Sequence, residues 1–199
     1  MRYGMVLNLE RCVGCNACTL ACKSIHGLNP DTYYSRTFVS ERGTYPNARL
    51  TALPTLCNHC EDAPCVKVCP VGASHILDNG IVVVDSGVCI GCRYCMAACP
   101  YDERTFIQAN DTYYPDQGIT PYEKAMYAQH QIGTVEKCDF CSARLNQGMQ
   151  PACVQTCPAH ARFFGDLDDP NSNVSLLLAT NESTTLNPEA GTKPKVHYI

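Results

Sequence analysis

Sixteen cysteines fall into four groups with none left over. The first group is Cys12-x2-Cys15-x2-Cys18-x3-Cys22, and the second is Cys57-x2-Cys60-x4-Cys65-x3-Cys69-Pro70. The third is Cys89-x2-Cys92-x2-Cys95-x3-Cys99-Pro100, and the fourth is Cys138-x2-Cys141-x11-Cys153-x3-Cys157-Pro158. A thiolate is a soft, nucleophilic ligand, so this density points to soft-metal ligation or to disulfides. Three thiolates three residues apart on a curling loop converge on three corners of one site. The fourth is carried away where the next helix begins, and a proline then opens a new segment with fixed φ and no donor N–H. The third group has the ligand spacing of [4Fe–4S] centres, trailing proline included.

The other uses of cysteine fit less well. All-cysteine zinc sites normally take CxxC pairs separated by a longer spacer and need no displaced fourth ligand. A disulfide framework also uses an even count, but cysteines repeated at two-residue gaps suit cluster ligation better than pairing. A histidine within the second group, His59, has no ligand role to fill, because the cysteines suffice in number.

In two-cluster ferredoxins the last cysteine of each run ligates the other cluster. That rule assigns Cys57, Cys60, Cys65 and Cys99 to one cluster and Cys69, Cys89, Cys92 and Cys95 to another. Extended to the outer groups, it assigns Cys12, Cys15, Cys18 and Cys157 to a third, and Cys22, Cys138, Cys141 and Cys153 to a fourth. The expected cofactors are therefore four [4Fe–4S] clusters. Small residues between ligands, Gly14, Ala17, Gly91, Ala97 and Ala98, let backbone N–H groups approach the sulfurs, which helps set the potential.

The elements needed to position these loops are short. Tyr3–Leu9 reads as a strand and Asn16–Ile25 as a helix carrying Cys18 and Cys22. Ser74–Leu77 and Ile81–Val84 flank Asp78-Asn79-Gly80, a hairpin signal. Thr105–Ala109 and Arg162–Phe164 read as strands, and Asn171–Thr180 as a late helix. The expected fold class is α+β, two nested ferredoxin-like units with loop insertions and an extended C-terminal tail. The outer unit takes residues 1–26 and 137–180, and the inner unit takes 57–109. Insertions occupy 27–56 and 110–136, neither with convincing periodicity, and the tail 181–199 is placed to wrap a neighbouring subunit.

With 199 residues, five Phe and no Trp, apolar burial alone leaves little surplus over chain entropy, so cross-links must supplement the core. The formal charge of −4 excludes a nucleic-acid footprint. An oxidised cubane with four thiolates carries about −2, so the loaded protein is more acidic still and suits a basic docking patch on a partner. No nucleophile–base set, phosphate loop or dinucleotide fingerprint appears, which argues against a self-contained enzyme. Lys67, Arg93, Arg104 and Lys137 lie near the motifs, and solvated surface placement is the usual outcome for such residues. No apolar run approaches the roughly 20 residues of a membrane span, and the start of the chain has no signal-peptide layout; alone, that reads as cytoplasmic.

The order of the four groups, with x4 in the second and x11 in the fourth, resembles the iron–sulfur subunits of the dimethyl sulfoxide reductase family of molybdopterin oxidoreductases. Arg162-Phe163-Phe164-Gly165-Asp166-Leu167-Asp168-Asp169-Pro170-Asn171-Ser172 and Gly191-Thr192-Lys193-Pro194-Lys195-Val196 carry the similarity outside the motifs, and it covers nearly the whole chain. The first group departs from the ferredoxin run by ending Cys22-Lys23. The resemblance implies a non-catalytic electron-transfer subunit. Its partners would be a large molybdopterin (or tungstopterin) catalytic subunit and a membrane anchor that oxidises quinol, or another donor. It also implies a peripheral complex exported folded to the outer face of the membrane on the large subunit's signal, so a missing signal peptide does not fix the compartment. A free polyferredoxin carrier and the small subunit of a non-redox transhydroxylase are the alternatives.

Overall fold

The structure is a computed structural model that describes residues 1–199. Its elements are short strands and single helical turns, as a chain interrupted every few residues by cysteine loops must give. In chain order they are β1 (Tyr3–Leu7), α1 (Ala17–His26), β2 (Ser35–Arg42), β3 (Arg49–Leu56), α2 (Pro64–Lys67), β4 (Ser74–Ile76), β5 (Val82–Val84) and α3 (Tyr94–Ala97). There follow β6 (Thr105–Phe106), α4 (Pro121–Tyr127), β7 (Val135–Glu136), α5 (Ser142–Leu145), α6 (Ala152–Gln155), β8 (Arg162–Asp166), α7 (Asn173–Thr180) and β9 (Val196–Tyr198). No helix is long and apolar enough to cross a membrane.

The central sheet closes the chain on itself. β1 lies between β8, antiparallel, and β9, parallel, so both ends of the sequence meet on one strand. Residues 196–198 of the tail thus pair within their own chain, and Tyr198 Oη donates to the Pro54 carbonyl at 3.1 Å. Three two-stranded ribbons complete the β structure: β2–β3, β4–β5 and β6–β7. α1 packs on α6 and α2 on α3, which brings the first group to the fourth and the second to the third.

Both insertions are more ordered than their composition suggests. The first contains the longest ribbon, β2–β3, in register from Ser35 opposite Leu56 to Arg42 opposite Arg49. Only the base of this ribbon is buried and its tip is exposed on both faces, so no apolar alternation marks it in the sequence. The second contains α4, started by a capping box in which Thr120 and Glu123 satisfy each other's backbone N–H, with Pro121 at the first helical position. Helix α1 ends at Gly27 in a left-handed conformation, and a Cβ there would overlap Met126 of α4, so the glycine sets how closely the insertion covers α1.

The core is thin and partly made of thiols. Met5, Leu7, Leu28, Tyr34, Leu56, Ile81, Phe140, Phe164, Val196 and Tyr198 pack with Cys22, Cys57, Cys138 and Cys153. A second, smaller group joins Ala63, Val82 and Val135 to Cys60, Cys65 and Cys95. At the centre His59 stacks on Phe140, ring centroids 3.7 Å apart at 25°, and Phe140 meets Phe164 edge-on at 5.2 Å. Phe140→Ala removes the largest fully buried side chain and is expected to lower stability by about 3–5 kcal/mol, read as a lower denaturant midpoint of the loaded protein.

Candidate metal centres

All four loops share one backbone device. The residue immediately before the second cysteine of each group has positive φ: Gly14 at 68°, His59 at 43°, Gly91 at 67° and Phe140 at 55°. The left-handed step turns the chain sharply so that the first two thiols face the same space. Glycine takes that conformation without strain; His59 and Phe140 do not, and are held there by stacking on each other. In the outward-facing loops the glycines also give room, since a Cβ on Gly91 would collide with the Gly133 carbonyl oxygen. A helical turn then presents the third cysteine: Cys18 on α1, Cys65 on α2, Cys95 on α3 and Cys153 on α6.

None of the sixteen cysteines forms a disulfide. Cys12, Cys15, Cys18 and Cys157 line one cavity together with Gly14, Thr37, Pro54 and Arg162. Cys69, Cys89, Cys92 and Cys95 line another with Ala73, Ser74, Val84 and Val135. The remaining eight are seven buried cysteines and the partly exposed Cys99. Cys22 is near enough to feel Cys153 and Cys141, and Cys138 feels Cys22 and Cys153. Cys60 feels Cys57, Cys65 and Cys99, and Cys99 feels Cys57 and Cys65.

Burial dominates the electrostatics of the interior thiols. Desolvation pushes Cys60 and Cys141 up to about 11, and Cys22 and Cys138 further. Such thiols become thiolates only when a metal takes the proton's place. Cys69, nearer the surface, behaves otherwise. Desolvation raises it, but the backbone N–H groups of Ser74, Val71, Ala73 and Gly72 together outweigh that and hold it below the ordinary thiol value. The Ser74 N–H donates to Cys69 Sγ at 3.4 Å, and the Ala161 N–H donates to Cys157 Sγ at 3.3 Å, so two of the four trailing cysteines accept a backbone N–H four or five residues on.

Four buried cations face this thiol-rich interior. Arg104, Lys137, Arg162 and Lys195 are buried, and none of them makes a carboxylate ion pair. Arg104 and Arg162 each leave one guanidinium nitrogen, Nη1, without a partner. Glu103 is in electrostatic reach of Arg162 but unpaired with it, and burial pushes its carboxyl up to about 7. A buried cation without a counter-charge costs several kcal/mol. Tetra-thiolate iron–sulfur cores, each bearing about −2, supply that counter-charge, so the residues present fit the group.

Here the structure departs from expectation at two of the four motif cations. Lys67 and Arg93 are exposed, the first pairing with Asp62 at 3.3 Å and the second lying 3.7 Å over the Phe106 ring. Arg104 and Lys137 are buried, flanking the β6–β7 ribbon, the first just before β6 and the second just after β7. Lys137 Nζ donates to the carbonyls of Val82 and Cys138. His59 turns Nδ1 to accept the Val82 N–H at 3.1 Å, and burial followed by Lys137, Lys195 and Arg104 holds it neutral. One neighbour went unread: His26 Nε2 lies 3.4 Å from Cys141 Sγ, across 115 positions that no local pattern connects.

One family profile described as 4Fe-4S dicluster domain matches residues 48–114 and 109–167, and a second of the same description matches residues 11–73. The arsenate respiratory reductase iron-sulfur subunit of Shewanella sp. (strain ANA-3) is 43% identical over an alignment covering 100% of this chain and 96% of that protein. A putative dimethyl sulfoxide reductase iron-sulfur subunit of Halobacterium salinarum is 43% identical, covering 99% and 78%. A tetrathionate reductase subunit of Salmonella typhimurium is 38% identical, covering 100% and 72%. The chain belongs to the iron–sulfur subunits of the dimethyl sulfoxide reductase family. As such a subunit it is an electron-transfer component and not itself catalytic. Its fold is the mixed helix–strand arrangement of dicluster ferredoxin-like domains.

Gly91→Ala is expected to strain the third loop in this iron–sulfur subunit while sparing the others. Iron analysis of the purified variant checks this, with a partial loss of iron expected.

Proposed function

We propose that the subunit holds four [4Fe–4S] clusters on Cys12/Cys15/Cys18/Cys157, Cys22/Cys138/Cys141/Cys153, Cys57/Cys60/Cys65/Cys99 and Cys69/Cys89/Cys92/Cys95, and relays electrons along them in that order. Each cluster, when bound, takes up and passes on one electron at a time. The observation that carries the order is the packing of the segments that hold the cysteines. α1 packs on α6, Cys57 shares a core group with Cys22, Cys138 and Cys153, and α2 packs on α3, which supports one line through the four.

The protein's part is to hold, insulate and expose. The two middle gatherings are enclosed, with Cys99 alone partly accessible. The line ends at the surface, where Cys15 and Cys92 are the two exposed cysteines. Val13 and Leu20 near one end, and Ile90 and Tyr94 near the other, are exposed apolar side chains of the kind a permanent partner covers. One end would meet a large molybdopterin catalytic subunit and the other a quinol-oxidising membrane anchor or another donor. The complex would be peripheral to the membrane, on its outer face if the catalytic subunit carries the pair across folded. The architecture we infer is two nested ferredoxin-like units, residues 1–26 with 137–180 around residues 57–109. Pairing of β1 with β8 supports the outer unit, and packing of α2 on α3 supports the inner one.

Two measurements test this. Anaerobically purified protein should contain about 16 iron and 16 acid-labile sulfide per chain and bring a large pterin protein with it. Stoichiometric zinc without sulfide overturns the reading, whereas a loaded chain that purifies alone points to a free carrier. Cys99→Ser should alter the spin-resonance signal of the cluster on Cys57, Cys60 and Cys65. Loss confined to the cluster on Cys89, Cys92 and Cys95 would disprove the crossing.

A further inference from the structure

Two arginines occupy matching places in the molecule. Arg104 lies five residues beyond Cys99, and Arg162 lies five residues beyond Cys157. One directly precedes β6 and the other opens β8, and both are buried. Each anchors one nitrogen on a buried serine from a distant segment. Arg104 Nη2 donates to Ser74 Oγ at 2.7 Å, and Arg162 Nη2 donates to Ser35 Oγ at 3.1 Å. Ser35 Oγ in turn donates to the Thr55 carbonyl at 3.2 Å, while the Ser74 backbone N–H donates to Cys69 Sγ at 3.4 Å. In both arginines Nη1 has no partner.

What surrounds each guanidinium also matches. Arg104 is in electrostatic reach of Cys65, Cys95 and Cys57, and the Ser74 that holds it lines the cavity of Cys69, Cys89, Cys92 and Cys95. Arg162 is in electrostatic reach of Cys153, Cys18 and Cys138. Arg162 also lines the cavity of Cys12, Cys15, Cys18 and Cys157. Each arginine is therefore in reach of cysteines from both gatherings of one pair.

We propose that Arg104 and Arg162 are potential-setting residues, each shared between two clusters and raising the reduction potential of both. This rests on the relay described above. Reducing a cluster adds one negative charge, and a fixed cation in a dry, low-dielectric interior favours the reduced form. Because the guanidinium is planar, always charged and pinned by a serine, it offers separate N–H edges to two sites at once. A shared cation moves both potentials of its pair together. The step inside a pair then keeps its driving force, and the step between pairs is set by the balance of Arg104 against Arg162.

The test is a spin-resonance redox titration of the complex purified with its catalytic subunit. Arg162→Gln should lower both midpoints of the Cys12 and Cys22 sets, with a roughly tenfold shift toward the oxidised form at fixed potential, about 59 mV for one electron. The Cys57 and Cys69 sets should not move. Arg104→Gln should do the converse, and Arg162→Lys, which keeps the charge, should recover most of the shift. Midpoints unchanged in a loaded variant, a shift in one cluster of the pair only, or an equal shift in all four overturns the proposal. If Arg162→Gln does not assemble, Ser35→Ala carries the test. It frees the guanidinium and should produce a smaller downward shift in the same two clusters, and unmoved midpoints in it overturn the proposal. Iron and sulfide in the unaltered complex separate the two readings. Without four cubanes the relay itself fails, and with them but without the shifts only the arginine assignment fails.

Discussion

The structure depends on balancing charge where water is excluded. Interior thiols such as Cys22 and Cys138 are desolvated enough to resist ionisation, and the cations among them have no carboxylates to pair with. Neither feature is stable by itself, since buried unpaired charge is costly and neutral thiols contribute only small apolar volumes. Anionic inorganic cores relieve both at once: they take the thiol protons' place and give the cations a counter-charge. This explains how a chain with so few large apolar residues tolerates buried arginines and lysines. In such a protein metal binding and folding share the same free energy.

That constraint shapes the chain locally. Each loop reverses at a left-handed residue and then rises into a helix, and backbone N–H groups point at the sulfurs of Cys69 and Cys157. Near the surface the reversal uses glycine, at Gly14 and Gly91. In the interior it uses His59 and Phe140, whose stacked rings occupy the space between the middle gatherings. A stack of that kind fills the junction without adding charge, since His59 is held neutral by burial and by the cations around it. The strain of positive φ at two bulky residues is thus offset by packing available only at the junction.

The same geometry separates what is insulated from what is presented. The enclosed gatherings contribute their thiols to the core, and the end gatherings expose Cys15 and Cys92 among apolar side chains. The insertions extend this division: α4 covers α1 through the contact at Gly27, and the β2–β3 ribbon lies over Gly14, where a Cβ would touch Val39 and Ala52. Closure of the central sheet by β9 ties the end of the chain to its start.

Ligand chemistry was legible because it is written locally. Spacing within a few residues decides which thiols can converge, and proline or glycine marks where each loop turns, so the four groups, the hairpin at Asn79-Gly80, β1 and most of α1 follow from the sequence alone. The β2–β3 ribbon was not legible, because its exposed half carries no alternating pattern, and α4 was too short for periodicity to show. Tertiary structure alone decided which cations near the motifs turn inward, that His26 reaches Cys141, and that His59 meets Phe140. It also decided which gatherings adjoin and which reach the surface. Those outcomes depend on contacts between segments scores of residues apart, and burial, the quantity that sets charge and potential here, is a property of the assembled chain and not of any stretch of it.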